Sequence, residues 1–310
     1  MRRAGVLGVH SLDHFCIAVP DMNEATIFYR EFGLSVKSGN DGTLMVSAQG
    51  DDHCWIKIIS GVRKRLEYIS FAAFADDIPK FKQLIQSQGT AEAGGGRFGG
   101  SVEEVWLRDP AGILIQIKAA ERSAPTEKSS FNGAGGVLGQ RNAASRSTAP
   151  VVCPRRLAHV AIFTLGVPSA IEFYTRFLGL RLSDQSADAV AFLHGAHGSE
   201  HHMLALLGSS GGGLHHSSWD VGSVDEVGLG AMHMAEKGFD RGWGMGRHVL
   251  GSNYFHYVRD PWGSYAEYTA DMDYIPVDLD WAAGNHAPED SMYLWGPSVP
   301  EDFVTNFELD

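Results

Sequence analysis

Three residues in the second half of the chain, His159, His216 and Glu267, are of the types that hold a single divalent metal ion. Two neutral imidazoles and one carboxylate make a 2-His-1-carboxylate facial triad, which covers one face of an octahedral iron(II) and leaves three positions for other ligands. No local spacing motif announces them. They stand out because the chain repeats itself, and the aligned positions of the first half are His14, Tyr68 and Gln116, which cannot all act as ligands. A lone histidine on a strand is more often a core residue, and His14 is read that way. Three ligand-type residues at equivalent places in one copy of a repeat point instead to a metal.

The repeat is direct. LDHFCIAVPDMNEATIFYREFGL aligns with LAHVAIFTLGVPSAIEFYTRFLGL, EYISFAAF with HHSSWDV, and RDPAGILIQI with RDPWGSYAEY, at offsets of about 145 to 151 residues that drift as small loop insertions require. Residues 123–152 between the halves are rich in Ser, Ala, Gly, Asn and Thr without apolar periodicity, as in a linker. In each half a β-like run leads into a helix with apolar residues at helical spacing: Ala25, Phe28, Tyr29 and Phe32, then Ala170, Phe173, Tyr174 and Phe177. Gly33 and Gly179 fall where those helices should stop. The second part of each half repeats the plan, with a strand near 67–74 or 214–221, a helix ending near Gly89 or Gly238, and short strands around RDPxG turns. The expected fold is α+β: four βαβββ modules, two per domain, each pair curving into an open barrel or cup. The domains are placed at 8–122 and 153–272, with a tail at 273–310. Because strand side chains alternate between faces, such a cup can aim single residues from distant segments at one interior point.

Bulk properties narrow the classes of partner. With 310 residues, 44% of them hydrophobic, the chain can build a sizeable core. It has no 18-residue apolar run and no signal-peptide pattern, so a cytoplasmic location away from membranes is expected. Cys16, Cys54 and Cys153 fit neither a disulfide framework nor a zinc motif. The net charge of −12 is a property of the tail: residues 260–310 hold 12 of the 37 acidic groups, and no Lys or Arg follows Arg259. The rest is balanced, which disfavours nucleic acid or an anionic membrane as partner. Of the 14 histidines only His10, His14 and His53 precede residue 150, so the chemistry is expected in the second half.

The segment GRHVLGSNYFHYVRDPWGSYAE, residues 246–267, resembles the signature of type I extradiol ring-cleavage dioxygenases of the vicinal oxygen chelate superfamily, through Gly246, His248, Tyr257, Asp260, Pro261, Gly263 and Glu267. His256 departs from it, since that family prefers an aliphatic residue or Phe before the tyrosine. The resemblance covers roughly residues 8–272 and implies a degenerate, metal-free first domain and a catalytic second one. It places the two metal histidines on His159 and His216, and a catalytic histidine fourteen residues before the latter, on His202. A one-residue shift of register would select His215 and His201 instead.

What the resemblance implies chemically is a mononuclear Fe(II) site, for which Mn(II) offers the same ligand chemistry, acting on an aromatic diol and dioxygen. The ring would open beside the two hydroxyls rather than between them. His248 and Tyr257 would contact the diol oxygens, while His202 would stabilise reduced oxygen and donate a proton as the O–O bond breaks, a task suited to a pKa near ~6.5. Relatives of this kind commonly form homo-oligomers. His194, His197, His233, His256 and His286 receive no role beyond surface or pocket lining, and Arg247 is a candidate partner for a charged ring substituent. A glyoxalase-like isomerase or lyase using another metal, and a metal-free binding protein, are the competing readings. Only the dioxygenase uses His159, His216, Glu267, His248 and Tyr257 together. The aromatic-rich tail reads either as a lid over the cup or as a segment packed on a neighbouring surface.

Overall fold

The computed structural model describes residues 1–89, 92–133 and 136–309; positions 90, 91, 134, 135 and 310, which fall in the expected first domain, linker and tail, lie outside the described residues. The first half begins with β1 (Ser11–Val19), buried along its whole length, and α1 (Met22–Glu31). The helix starts where the Asp21 carboxylate accepts the backbone N–H groups of Asn23 and Glu24 at 2.8 and 3.0 Å, and it turns Ala25, Phe28 and Tyr29 to the sheet. Strands β2 (Ser35–Ser38), β3 (Leu44–Ser47) and β4 (Ile56–Ser60) complete the module. The second module is β5 (Arg65–Ala73), α2 (Ile78–Ser87), β6 (Glu104–Arg108) and β7 (Leu114–Ala119). Among the described residues it has two strands after its helix rather than three. In place of the third, Ala93 N–H donates to Trp106 O at 2.8 Å.

The second half repeats the plan with β8 (Arg156–Thr164), α3 (Val167–Leu178), β9 (Leu180–Ser186), β10 (Val190–Gly195), the two-residue β11 (Ser199–Glu200) and β12 (Leu204–Gly208). Then follow β13 (Gly213–Asp220), α4 (Val224–Glu236), β14 (Gly242–His248), β15 (Tyr254–Arg259) and β16 (Tyr265–Ala270). The tail adds β17 (Tyr274–Ile275), β18 (Gly284–Asn285) and β19 (Tyr293–Trp295). The sheets run β2-β3-β4-β1-β5-β7-β6 and β18-β9-β10-β12-β8-β13-β16-β15-β14-β19, with β11 and β17 paired separately. Both sheets are open. In each, the two modules join through an antiparallel pair, β1 with β5 and β8 with β13; these carry His14, Tyr68, His159 and His216, while Gln116 and Glu267 lie on the parallel neighbours β7 and β16. Short tail strands cover both edges of the second sheet, on β9 and on β14, where unpaired backbone would otherwise face outward. No helix among the described residues is long and apolar enough to cross a membrane.

The halves are locked to each other where the repeat is closest. Gly179 ends α3 in the left-handed region at φ 68°, and a Cβ there would meet Leu7 O at 2.2 Å; Gly33 ends the first helix at φ 94°, and its Cβ would meet Val152 O at 2.1 Å. Each helix-stop glycine therefore admits the backbone that leads into the other half. The Glu308 carboxylate also ties the halves, accepting Leu66 N–H at 2.7 Å and Leu214 N–H at 3.0 Å, equivalent positions of β5 and β13, and pairing with the buried Lys64 at 2.7 Å.

Asp109 sits at the same junction and gives a test by pH. Its carboxylate accepts Tyr174 O–H at 3.0 Å and the N–H groups of Ala111 and Ile113, yet burial wins and pushes its pKa up to about 6. The folded pKa lies above the unfolded one, so the acid stabilises the fold below pH ~4 and that contribution is lost as pH rises to about 6. Asp109→Asn keeps an acceptor for the two N–H groups, and Tyr174 can turn its hydroxyl to accept. Urea titrations should show the variant about 1 kcal/mol or more stabler relative to wild type at pH 7 than at pH 4. An equal difference at both pH values would refute the assignment.

Candidate metal centre

Three adjacent strands of the second sheet present one polar cluster. Ser218 on β13 lies opposite His159 of β8 on one side and Glu267 of β16 on the other, and His216, two residues earlier, shares its face. The ligand-type atoms of His159, His216 and Glu267 lie within 4.8 Å of one another, and all three residues are buried. His159 Nε2 is 3.0 Å from His216 Nε2, and Glu267 Oε2 is 3.4 and 3.6 Å from these two nitrogens.

The residue beside the expected ligand settles its tautomer. His215 occupies a register irregularity between Leu214 and His216 and turns away to donate its Nε2–H to Phe303 O at 2.9 Å. Its Nδ1 is thus an acceptor, 2.6 Å from His216 Nδ1, which must donate to it. The His216 Nε2 lone pair is left facing His159 and Glu267, whose Oε2 is buried without a hydrogen-bond partner. Two imidazoles and one carboxyl thus bring three ligand-type groups to one dry point, where a divalent cation would displace the remaining protons and satisfy all three. Burial, reinforced by neighbouring histidines, holds both imidazoles well below their ordinary pKa, so they are neutral ligands. Burial pushes the Glu267 carboxyl up to about 8, outweighing the hydrogen bonds it accepts. One of those comes from Asn253 Nδ2, 3.3 Å from Oε1. The residues present therefore fit a divalent metal.

Around this focus the other expected residues gather. Tyr257 pairs with Glu267 across β15 and β16, and its hydroxyl is 2.9 Å from His248 Nε2. His248 Nδ1–H donates to Met292 O at 2.6 Å, so Nε2 accepts and Tyr257 donates. Burial, with Glu267 beside it, pushes the tyrosine well up, and it keeps its proton. The His202 ring lies 4.2 Å from that of His159, centre to centre, and 4.8 Å from Phe192. Val190, Phe192, Ala205, Leu207, Leu250, Met292 and Phe303 supply the apolar wall of the cavity these residues share.

The first-half counterpart is closed by its own hydrogen bonds. His14 is held between Asp13, at 2.5 Å, and Tyr68, at 2.9 Å, while Gln116 donates to Glu104 at 2.7 Å. Among the remaining histidines, two differ from the expected surface or pocket-lining positions. His194 is buried with Nδ1 2.8 Å from Ser183 Oγ on the neighbouring strand, and His197 is buried between the halves, its Nε2 3.2 Å from Gly8 O and its Nδ1 accepting Arg3 N–H at 3.1 Å. His233 pairs with Glu31 and His286 with Asp184. Arg247 does not reach the cavity; it stacks on Tyr254 and donates to Ser252 O. Sequence reasoning missed His215 and the carbonyls of Met292 and Phe303. The paired histidine at an irregular strand position was the one signal for the first, and a backbone acceptor leaves none.

The Glyoxalase/Bleomycin resistance protein/Dioxygenase superfamily matches over residues 11–117 and 156–268. Metapyrocatechase 2 of Cupriavidus necator is 48% identical over 300 residues, 97% of this chain and 93% of that one. The manganese-dependent 2,3-dihydroxybiphenyl 1,2-dioxygenase of Geobacillus genomosp. 3 is 22% identical over 92% of this chain and 93% of its own. Among solved structures, homoprotocatechuate 2,3-dioxygenase of Brevibacterium fuscum superposes with a TM-score of 0.76 at 19% identity, covering 98% of this chain and 93% of that one. The chain belongs to the Glyoxalase/Bleomycin resistance protein/Dioxygenase superfamily. Within that superfamily it is an extradiol dioxygenase.

Proposed function

We propose that the protein opens the ring of an uncharged catechol beside its two hydroxyls, using dioxygen at an iron(II) held by His159, His216 and Glu267. The observation that carries this reading is the convergence of two imidazoles and one carboxyl at a single buried point against an apolar wall. Both oxygen atoms enter the product, so no external reductant is consumed. When bound, the metal supplies Lewis acidity that eases deprotonation of the diol, and the electrons that make dioxygen reactive. Manganese suits the same donors, and metal analysis of the purified protein distinguishes the two.

The chain's own residues orient the ring and move protons. Tyr257 keeps its O–H and donates to one diol oxygen, while His248, braced by Met292 O, offers Nε2 to a diol proton. His202, on the side of Phe192 and Val190, takes up the second diol proton at Nε2 and passes it to the departing oxygen. The tail closes the cavity through Ser291, Met292 and Phe303 and excludes water. A glyoxalase-like site would use more than one carboxylate, and the triad contains one.

The lining of this cavity contains no Lys or Arg among the described residues, so a ring carboxylate would be buried unpaired. Anaerobic loading with ferrous iron, addition of a diol and admission of air should yield the yellow ring-fission product from catechol and methylcatechols. For 3,4-dihydroxybenzoate and 3,4-dihydroxyphenylacetate, kcat/KM should be at least ~100-fold lower, equivalent to about 2.7 kcal/mol. Equal rates would overturn the substrate class; no colour with any diol and no bound metal would overturn the function.

A further inference from the structure

We propose that Asp184 and His201 are positioning residues that hold His202 in one tautomer, its Nδ1–H turned away from the cavity and its Nε2 lone pair turned into it. This rests on the ring-cleaving reading above, in which His202 handles a proton. His201, the neighbour that the expected register passes over in favour of His202, has a buried ring with both nitrogens engaged. Nε2 lies 2.8 Å from Asp184 Oδ2 and Nδ1 lies 3.1 Å from His202 Nδ1. Hydrogen bonds from His201, His286 and Gly284 outweigh burial and hold the Asp184 carboxyl below its usual range, so it is ionised and only accepts.

The direction of every proton follows. With one proton on the His201 ring, Nε2–H donates to Asp184, Nδ1 is then an acceptor, and His202 donates Nδ1–H to it. His202 lines the cavity, and among the described residues its Nε2 has no hydrogen-bond partner. The alternative tautomer would present an N–H there and could not take up a proton from the diol. The order Asp184–His201–His202 thus has the logic of a carboxylate that orients an imidazole without exchanging its proton.

The other carboxylate oxygen makes the arrangement testable. Asp184 Oδ1 accepts Gly284 N–H at 2.8 Å, a donor that cannot reverse, and His286 Nε2 lies 2.8 Å from the same atom. In Asp184→Asn the amide oxygen stays with Gly284, so the NH2 group faces His201. His201 then becomes an acceptor at Nε2 and a donor at Nδ1, and His202 is driven to the Nε2–H form.

The measurement uses full-length protein labelled with 15N at histidine and loaded with zinc(II) in place of iron. The His202 signals are assigned by their loss in His202→Gln. Long-range proton–nitrogen correlations should report a protonated Nδ1 and a bare Nε2 for His202, and the inverse in Asp184→Asn. With iron, Asp184→Asn should lower kcat roughly 10- to 100-fold with the catechol KM within about 2-fold. A wild-type His202 protonated at Nε2, or an unchanged pattern in the variant, overturns the proposal. If Asp184→Asn does not fold, the wild-type pattern decides alone. Wild-type protein that shows the expected tautomer yet cleaves no diol removes the reaction and leaves the positioning role standing.

Discussion

Glu267→Gln is expected to abolish tight metal binding and to lower kcat/KM for catechol by at least roughly a thousandfold, about 4 kcal/mol of transition-state stabilisation. The carboxylate supplies the negative charge among the triad atoms, and its Oε2 lies 3.4 Å from His159 Nε2 and 3.6 Å from His216 Nε2. An amide keeps the size and the Asn253 contact but turns either a weaker oxygen or an N–H toward the focus. The fold should be unharmed, because a neutral group in that dry position is no worse than a carboxyl whose pKa burial has already pushed to about 8. His14→Ala, in the closed counterpart of the first half, should leave metal content and turnover intact. The two variants, measured by metal analysis and oxygen uptake, separate a site in one half from a site shared by both. Full metal occupancy in Glu267→Gln would remove the triad.

Glu308→Ala should be the most damaging single change to stability outside the core, at about 3–5 kcal/mol. It strands the Lys64 ammonium, which is buried and 2.7 Å from the carboxylate, and leaves the N–H groups of Leu66 and Leu214 without their acceptor. Ser264 Oγ and Leu214 O remain in contact with Lys64 but carry no charge, and the buried Asp260 acts on it only through space. Replacing both members, Lys64→Met with Glu308→Leu, should recover much of the loss, as is common when a buried pair gives way to apolar packing. Urea unfolding would measure both. A loss below ~1 kcal/mol in Glu308→Ala would mean that the junction is held elsewhere.

The duplicated plan was legible because each copy repeats one pattern: a buried strand, a helix with apolar residues at helical spacing, a glycine stop. The metal-type residues were legible because His216 and Glu267 replace Tyr68 and Gln116 at matched strand positions. Less legible was anything fixed by backbone or by the tail. The carbonyls of Met292 and Phe303 look like any others in the sequence, yet they accept protons from His248 and His215. His201 and His215 share a residue type with the neighbours expected to function, so composition could not show that they turn outward and orient them. Arg247 is close to His248 in sequence but lies on the opposite face of β14, held by Ser252 and Tyr254. Among the described residues the second module lacks a third strand after its helix, beside the Gly-rich stretch 94–100, whose weak pattern hid this in the sequence.

The tail carbonyls have a consequence in the order of synthesis. A nascent chain that has emerged only through β16 already contains His159, His216, Glu267, His248 and Tyr257. It lacks the two acceptors that set which nitrogen of His216 and of His248 is bare. Until the segment after residue 290 leaves the ribosome and docks, those imidazoles are free to present an N–H where the metal or the diol needs a lone pair. On the proposed function, metal loading would follow completion of the chain, because an unfinished polypeptide lacks the two acceptors that keep those lone pairs bare.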